Sequence, residues 1–571
     1  MPSIICGFLG ASRSLVVEMA VNQVDVLLSR IGAGKWNILQ TVTTGMASAL
    51  PSAHAMAGVF VVPRQPYTCR SSQDDPRAVE SNSTDTPCTY YVRSEEDSYE
   101  EVACTDWDFD NSTFTRTLTS EQVLVCDREH YRALYMSLYM IGVLVASPTI
   151  GYLADRFGRK TMFNLGTAGF IVLSLISGWL PNIPAVLACR FLIGILHVPV
   201  VKISYILGME SCTPEIRPNA GILLYLPWTL YVIVFSGIAY LIRDWRWMIT
   251  AASLPGLLLI PGLWFLDESP HWLAVRGRYK EALQVLKRAA RWNKSSFPSD
   301  EEVILILKGT TVSAPKVKLE DAREPWPTLL KRKVSDLFIL YRTPRLRLIS
   351  LVMHLNFFFI DMTYYGLSYS GGNFKIHIFS YLALMGVMEL PCRILIYPVL
   401  SRFGRKIPLI VSLMTTGLVL LCVTAVPKDM TWLMMTFALF GRFCISTSSA
   451  VLYLFGSELF PTEVRTRGIG YSFTMSRVGS SLAPFITEYL GYMYHWGPSV
   501  VFGAGVIIAG LASTTIWDTS NIALPDTIAF LESTDPRGRS HGKSDIEGNG
   551  NYLSNTSSNV VKPEEEMQLK P

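Results

Sequence analysis

The chain has 571 residues, half of them hydrophobic and 17% charged, with a formal net charge of +4. With a positive mean hydropathy of +0.30 this is unusual for a soluble protein, whose buried core rarely needs so much apolar surface; the bilayer is the natural place for it. A spanning helix takes about 20 predominantly apolar residues, so a dozen crossings fit with sizeable polar segments left over.

Residues 1–35 precede the first hydrophobic segment. The apolar run from Ile4 to Ala11 is short and has no basic residue before it, so no cleaved signal peptide is expected. The string Gly32, Ala33, Gly34, Lys35 lacks the spacing and the following Ser or Thr of a phosphate-binding loop, which argues against an ATP-driven pump. Predicted spans cover residues 36–62, 131–153, 161–180, 185–208, 219–241 and 246–266, then 347–369, 377–400, 408–426, 432–456, 466–492 and 498–518. The sequence therefore predicts an all-α membrane protein of twelve helices, with halves at 36–266 and 347–518.

Residues 63–130 hold Cys69, Cys88, Cys104 and Cys126, sequons at Asn82 and Asn111, many acids and no lysine. An even cysteine set with glycan acceptors is the profile of an extracellular loop; four cysteines permit three pairings, and the sequence does not choose among them. Residues 267–346 are the opposite, rich in basic residues such as Lys287, Arg288, Arg291 and the run Lys331, Arg332, Lys333. The positive-inside rule puts this linker in the cytosol, and parity then puts both termini there, including a polar tail at 519–571.

An internal repeat connects the halves. GYLADRFGRK at 151–160 returns as LSRFGRK at 400–406, and Glu210 seven residues before Arg217 returns as Glu458 seven before Arg465. Repeated halves with a substrate site between them are how many secondary transporters are built. Gly158 and Gly404 permit tight turns. Asp155, Arg156 and Arg159, with Arg402 and Arg405 in the second copy, provide charges to latch one half against the other in one state and release it in the next. Ser401 replaces the aspartate in the second copy, so the latch is expected to be stronger in the first half.

These motifs, together with DESPHWLAVRGRYKEAL at 267–283, YYGL at 364–367 and SELFPTEVRTRG at 457–468, resemble the organic cation, organic anion and carnitine transporters, solute carrier family 22 of the major facilitator superfamily. The resemblance runs from about residue 20 to residue 532. It departs from the family at His271, where arginine is usual, and at Trp517, Asp518 and Thr519, which replace Pro-Glu-Thr. It implies a major facilitator fold and movement of small charged organic molecules across a plasma membrane, by facilitated transport, exchange or ion coupling.

The sign of the substrate is read from charges at bilayer depth, where an ionised group persists when it meets a partner or an aqueous path. Arg477 lies near the middle of span eleven and resembles the arginine of anion and carnitine carriers where cation carriers have aspartate; no acid stands within a turn of it, although Asp361 on span seven is able to reach it in the fold. Arg393 in span eight resembles a basic position of anion carriers, although Glu389 stands four residues before it and can neutralise it locally. Two guanidinium groups suit a carboxylate or sulfonate. Lys202 in span four is a third candidate, near enough to the cytosolic end to snorkel there. Tyr225, Trp228 and Tyr231 on span five, Tyr364 and Tyr365 on span seven and Tyr453 on span ten are candidate ring partners; Tyr365 and Tyr453 match family positions that line the cavity. The expected substrate is an organic anion or carnitine-like zwitterion, with organic cations as the alternative. No cofactor is expected. Coupling is open among sodium, a proton at Glu210, Asp361, Glu389 or Glu488, and an exchanged counter-anion. No HExxH, GxSxG or metal-ligand spacing suggests an enzyme, whereas a channel or receptor lacks a use for the interhalf charges.

Overall fold

The computed structural model describes residues 23–75, 88–93, 99–313, 338–371, 377–427, 429–520 and 525–533. Asn82, the run from Lys331 to Lys333 and the end of the tail lie outside these residues, and so does the side chain of Arg393.

The chain folds as a twelve-span helical bundle. Span one is built of Lys35–Ala47, Leu50–Met56 and Gly58–Val61. Its breaks follow from hydroxyls competing for backbone carbonyls: Ser48 donates to Gly45 at 2.6 Å and Ser52 to Ala49 at 2.7 Å. Spans two to six are His130–Phe157, Arg159–Ser177, Ile183–Glu210, Arg217–Leu241 and Trp245–Phe265. Spans seven to ten are Pro344–Tyr369, Ile378–Phe403, Lys406–Ala425 and Thr431–Leu459. Span eleven runs over Arg465–Phe485, a π-turn at Ile486–Leu490 and Gly491–Met493, and span twelve is Gly497–Ser513.

Among the described residues nine helices are long and apolar enough to cross a membrane on those grounds alone. The other three have separate reasons: span one is segmented, span twelve has 17 residues, and span eleven is rich in Ser, Gly and Arg. Span eleven escapes lipid because it packs between span seven and span two, so polar residues cost it little. Large side chains such as Leu165, Val172, Leu258, Trp264, Ile394 and Leu418 are exposed on the outer surface, which suits hydrocarbon rather than water.

Within a half, small residues let helices approach. A Cβ on Gly142 or Gly194 would overlap backbone carbonyls of the facing helix, spans four and two respectively; one on Gly479 would overlap the Phe358 carbonyl of span seven. Between halves, span two packs on span eleven and span five on span eight.

The described residues between 63 and 129 cap one end, the loop face. Two ribbons form it, β1 (Tyr67–Cys69) with β4 (Trp107–Phe109) and β2 (Thr89–Arg93) with β3 (Tyr99–Ala103). Disulfides Cys69–Cys104 and Cys88–Cys126 tie it, with sequence separations of 35 and 38; loop-closure arithmetic gives each about 3–4 kcal/mol. Asn111 is exposed on it. The ribbon domain docks through Glu121, which pairs with Arg246 and accepts from the Trp245 indole at 2.9 Å.

The opposite end, the linker face, carries short amphipathic helices. Gln23–Ile31 packs with Pro270–Val275, Tyr279–Asn293 and Asp300–Ser313 around Leu27, Leu28, Leu273, Leu286 and Leu307. Asp25 secures the first of these helices, bonding Arg217 at 2.5 Å and His271 at 3.1 Å. Burial works against its charge, but His271 and Arg217 outweigh it and hold the carboxyl at about 2.

Each half has the same turn after its second helix. Gly158 and Gly404 take φ of +106° and +75°. Glu268 accepts the backbone N–H groups of Arg159 and Lys160 at 3.0 Å each, and Asp518 that of Arg405 at 3.3 Å. A carboxylate thus sits on the N-terminus of span three and of span nine, where the helix dipole favours it. Burial opposes the Asp518 charge, yet the N–H groups of Ser520 and Arg405 hold its carboxyl below the usual range.

Candidate functional site

The central site is built from spans seven, ten and eleven on one side and spans four and five on the other. Arg477 pairs with Asp361 at 3.3 Å and makes a long contact of 3.5 Å with the Tyr365 hydroxyl. Phe473, one helical turn before Arg477, packs against Tyr453 with ring centroids 4.5 Å apart and against Phe357 at 5.3 Å. Across the interface, span four carries a π-turn at Pro199–Ile203. Such a turn inserts a residue into the helix and re-aims the side chains beside it. Lys202 lies on it, with its ammonium 5.3 Å from the Phe473 ring centroid. Lys202 therefore does not snorkel to the linker face. It faces the other half. Tyr205, three residues on, and Tyr225 have tilted rings with centroids 5.2 Å apart, within electrostatic reach of Tyr453.

The structure thus brings together Arg477, Tyr365, Tyr453 and Lys202, with Tyr225 in electrostatic reach of Tyr453 and the Tyr364 ring 5.2 Å from that of Tyr365. Tyr364 belongs to a second network, donating to Glu389 at 3.0 Å beneath the Arg442 guanidinium, which lies 3.4 Å from its ring centre. Arg442 also pairs with Glu389 at 3.3 Å, both side chains almost fully buried. The local Glu389–Arg393 spacing therefore does not exhaust Glu389. Trp228 packs edge-on to His197 at 5.9 Å, and His197 bonds Tyr139 at 2.8 Å. Tyr231 is spent on the Ala252 carbonyl at 2.6 Å.

Arg190 and Arg442 were not singled out from the sequence. They hold matching places in spans four and ten, and the pair CRF at 189–191 and GRF at 441–443 was the signal for them. Arg190 lies over Tyr135 and Tyr139, 4.3 and 4.7 Å from their ring centres, and donates to the His54 carbonyl at 3.0 Å. Phe473 was readable from its i, i+4 relation to Arg477.

The motif charges at the linker face stay inside their own halves. Arg159 pairs with Glu210 and lies 3.7 Å from exposed Asp155; Arg405 pairs with Glu458 at 3.0 Å. Arg156 and Arg402 rest on the adjacent Phe157 and Phe403 rings. Arg217 reaches Asp25, and Arg465 reaches the Phe460 carbonyl and Thr462. The halves instead meet ionically at the loop face, where Glu488 of span eleven pairs with Arg132 of span two and with Arg64, the latter at 3.3 Å. Ser137 adds a hydrogen bond to the Ser481 carbonyl at 2.7 Å, and Phe60 stacks on Phe379. Nothing in the local sequence around Glu488 points to Arg132, 356 residues away.

Two six-helix halves around a polar interface define a major facilitator transporter. The fold is similar to that of the xylose transporter XylE from E. coli in a partially occluded inward-open conformation, with a TM-score of 0.57 and 16% identity over 86% of this chain and 100% of that one. The profile of the sugar (and other) transporter family matches residues 83–517. Solute carrier family 22 member 6-B of Xenopus laevis is 30% identical over 440 residues, 77% of each chain. An organic cation transporter protein of Drosophila melanogaster is 29% identical over 493 residues, 83% of this chain and 88% of the relative. The chain belongs to the sugar (and other) transporter family, and within it to solute carrier family 22. It is a membrane transporter and not an enzyme.

Proposed function

We propose that the protein is an alternating-access carrier of small organic anions or carnitine-like zwitterions, with the disulfide-bonded loop outside the cell and the linker and both termini in the cytosol of a plasma-membrane orientation. The observation that carries the sign is the charge balance at depth. Spans one to six contain no acidic residue except Asp155 and Glu210 at their linker-face ends, yet they hold Arg190 and Lys202. Positive charge at bilayer depth without local compensation favours an anionic solute.

In this reading the arrangement is closed outside and open inside. The Glu488 contacts with Arg64 and Arg132 seal the outer end, and the motif charges at 155–159 and 402–405 wait to seal the inner end once the outer contacts break. Arg477, Lys202, Tyr365 and Tyr453 take the substrate, and Arg393 contributes from span eight.

The fruit-fly relative's name favours the second reading, an organic cation held by Asp361 among the tyrosines. Uptake of an aromatic carboxylate, carnitine and a quaternary amine into proteoliposomes separates the two. Carboxylate or carnitine uptake, faster when the far side is preloaded with the same solute, is the expected result. Uptake of the amine alone overturns the anion reading, and an absence of trans-stimulation overturns the carrier.

A further inference from the structure

The charge that Arg477 offers is already claimed. Its guanidinium lies 3.3 Å from the Asp361 carboxylate on the neighbouring span, so the pair is close to neutral before any solute arrives. An anion binding there has to compete with an internal carboxylate for the same donors. The other buried cations are answered as well: Arg442 by Glu389, Arg132 and Arg64 by Glu488, and Arg190 by a carbonyl and two tyrosine faces.

Lys202 is the exception. Among the described residues it has no carboxylate partner, and its half supplies no acid at that depth. What it has is the Phe473 ring across the interface, and Arg477, one turn further along span eleven, acts on it electrostatically. A ring face is a weaker partner for an ammonium than the charge-assisted hydrogen bond a carboxylate makes. The aromatic residues around it, Tyr453, Phe473, Tyr205 and Tyr225, present flat faces on both sides of the interface.

Resting on the anion reading above, we propose that Lys202 is the specificity-determining residue that receives the anionic head of the substrate. The substrate class is a flat aromatic molecule with one anionic group, its ring lodged among Tyr453, Phe473 and Tyr225. Asp361 is a positioning residue that occupies Arg477 and so limits the site to a single uncompensated positive charge. Because Lys202 belongs to one half and Phe473 to the other, a head group taking the ammonium off the ring also changes a contact between halves, which couples binding to their movement.

The test uses full-length protein in proteoliposomes with benzoate as the probe and surface-facing protein quantified in each preparation. Lys202→Gln is expected to raise KM by about 10–100-fold, the loss of one charge-assisted bond, while Lys202→Arg stays within a few-fold of native. Lys202→Cys treated with 2-aminoethyl methanethiosulfonate, which couples an aminoethylthio group to the cysteine sulfur and releases methanesulfinate, is expected to regain uptake. The uncharged methyl reagent is expected to restore nothing. Native protein treated in parallel controls for exposed Cys422. Asp361→Asn frees Arg477 and is expected to admit phthalate, a dianion, with a lower KM than native protein shows. Benzoate uptake by native protein with an unchanged KM in Lys202→Gln overturns this proposal and leaves the anion reading standing. Equal rescue by the charged and uncharged reagents overturns it too, by showing that bulk rather than charge is required. No benzoate or carnitine uptake by native protein, with amine uptake intact, removes the underlying reading instead.

Discussion

In the N-terminal half Arg190 and Lys202 have no carboxylate partner among the described residues, and buried Arg132 at the loop face shares Glu488 of the other half, whereas in the C-terminal half Arg442 and Arg477 each have a carboxylate of their own half. The halves share an architecture and a repeated sequence, so the difference lies in side chains, not in fold. The C-terminal half is balanced internally. The N-terminal half depends on π faces, carbonyls and whatever enters the interface.

The largest effect that would test this comparison is at Arg442. Arg442→Met strips the almost fully buried Glu389 of its guanidinium, and breaking such a pair costs about 3–5 kcal/mol. A marked drop in Tm in detergent is expected, with most of it regained in the double variant Glu389→Leu, Arg442→Met. Arg190→Met leaves carbonyls without a donor but no stranded charge, so a smaller loss of about 1–3 kcal/mol is expected. Equal losses at the two arginines would erase the contrast between halves.

A smaller effect is expected at the loop face, where the imbalance of the two halves is settled between them. Glu488→Gln removes the carboxylate that Arg64 and Arg132 share. Ser137→Cys, tested with a membrane-impermeant thiol reagent, is then expected to react about tenfold faster, from loss of one charge-assisted contact. An unchanged rate would show that the apolar contacts around Phe60 and Phe379 close this face without help.

The smallest effect lies outside the spans. The Asp25 carboxyl is held at about 2 rather than 3.8, so its contribution is complete above about pH 4 and fades as pH falls through about 2. Hydrogen exchange of Gln23–Ile31 is expected to quicken over that window in native protein and to show no such step in Asp25→Asn. Because the contact is partly solvated, the variant is expected to lose no more than about 1 kcal/mol.

The spans, the halves and the loop were legible because hydrocarbon thickness and chain parity impose them on any sequence of this kind. Even segmented span one and short span twelve appeared at their places. The depth of Arg477 was legible for the same reason, since helical rise turns position into distance. Its partner was named as well, Asp361 of span seven, although the two are 116 residues apart and it is the packing of span seven on span eleven that joins them. Glu389 shows the limit of local spacing, for Arg442 reaches it from another helix and no pattern around Glu389 announces that. Lys202 was misread as a residue able to reach the linker face because a π-turn has no sequence signature, and it is that turn which sits beneath it.

The carboxylates over the two basic turns tell something about how the chain is stitched. Glu268 comes from the segment leaving the first half and Asp518 from the segment leaving the second. Each six-helix unit is thus stapled shut by its own exit strand, so linker and tail are counterparts despite unlike sequences. Cutting the chain before Asp518 would unfasten span nine of the finished bundle, not merely shorten an appendage.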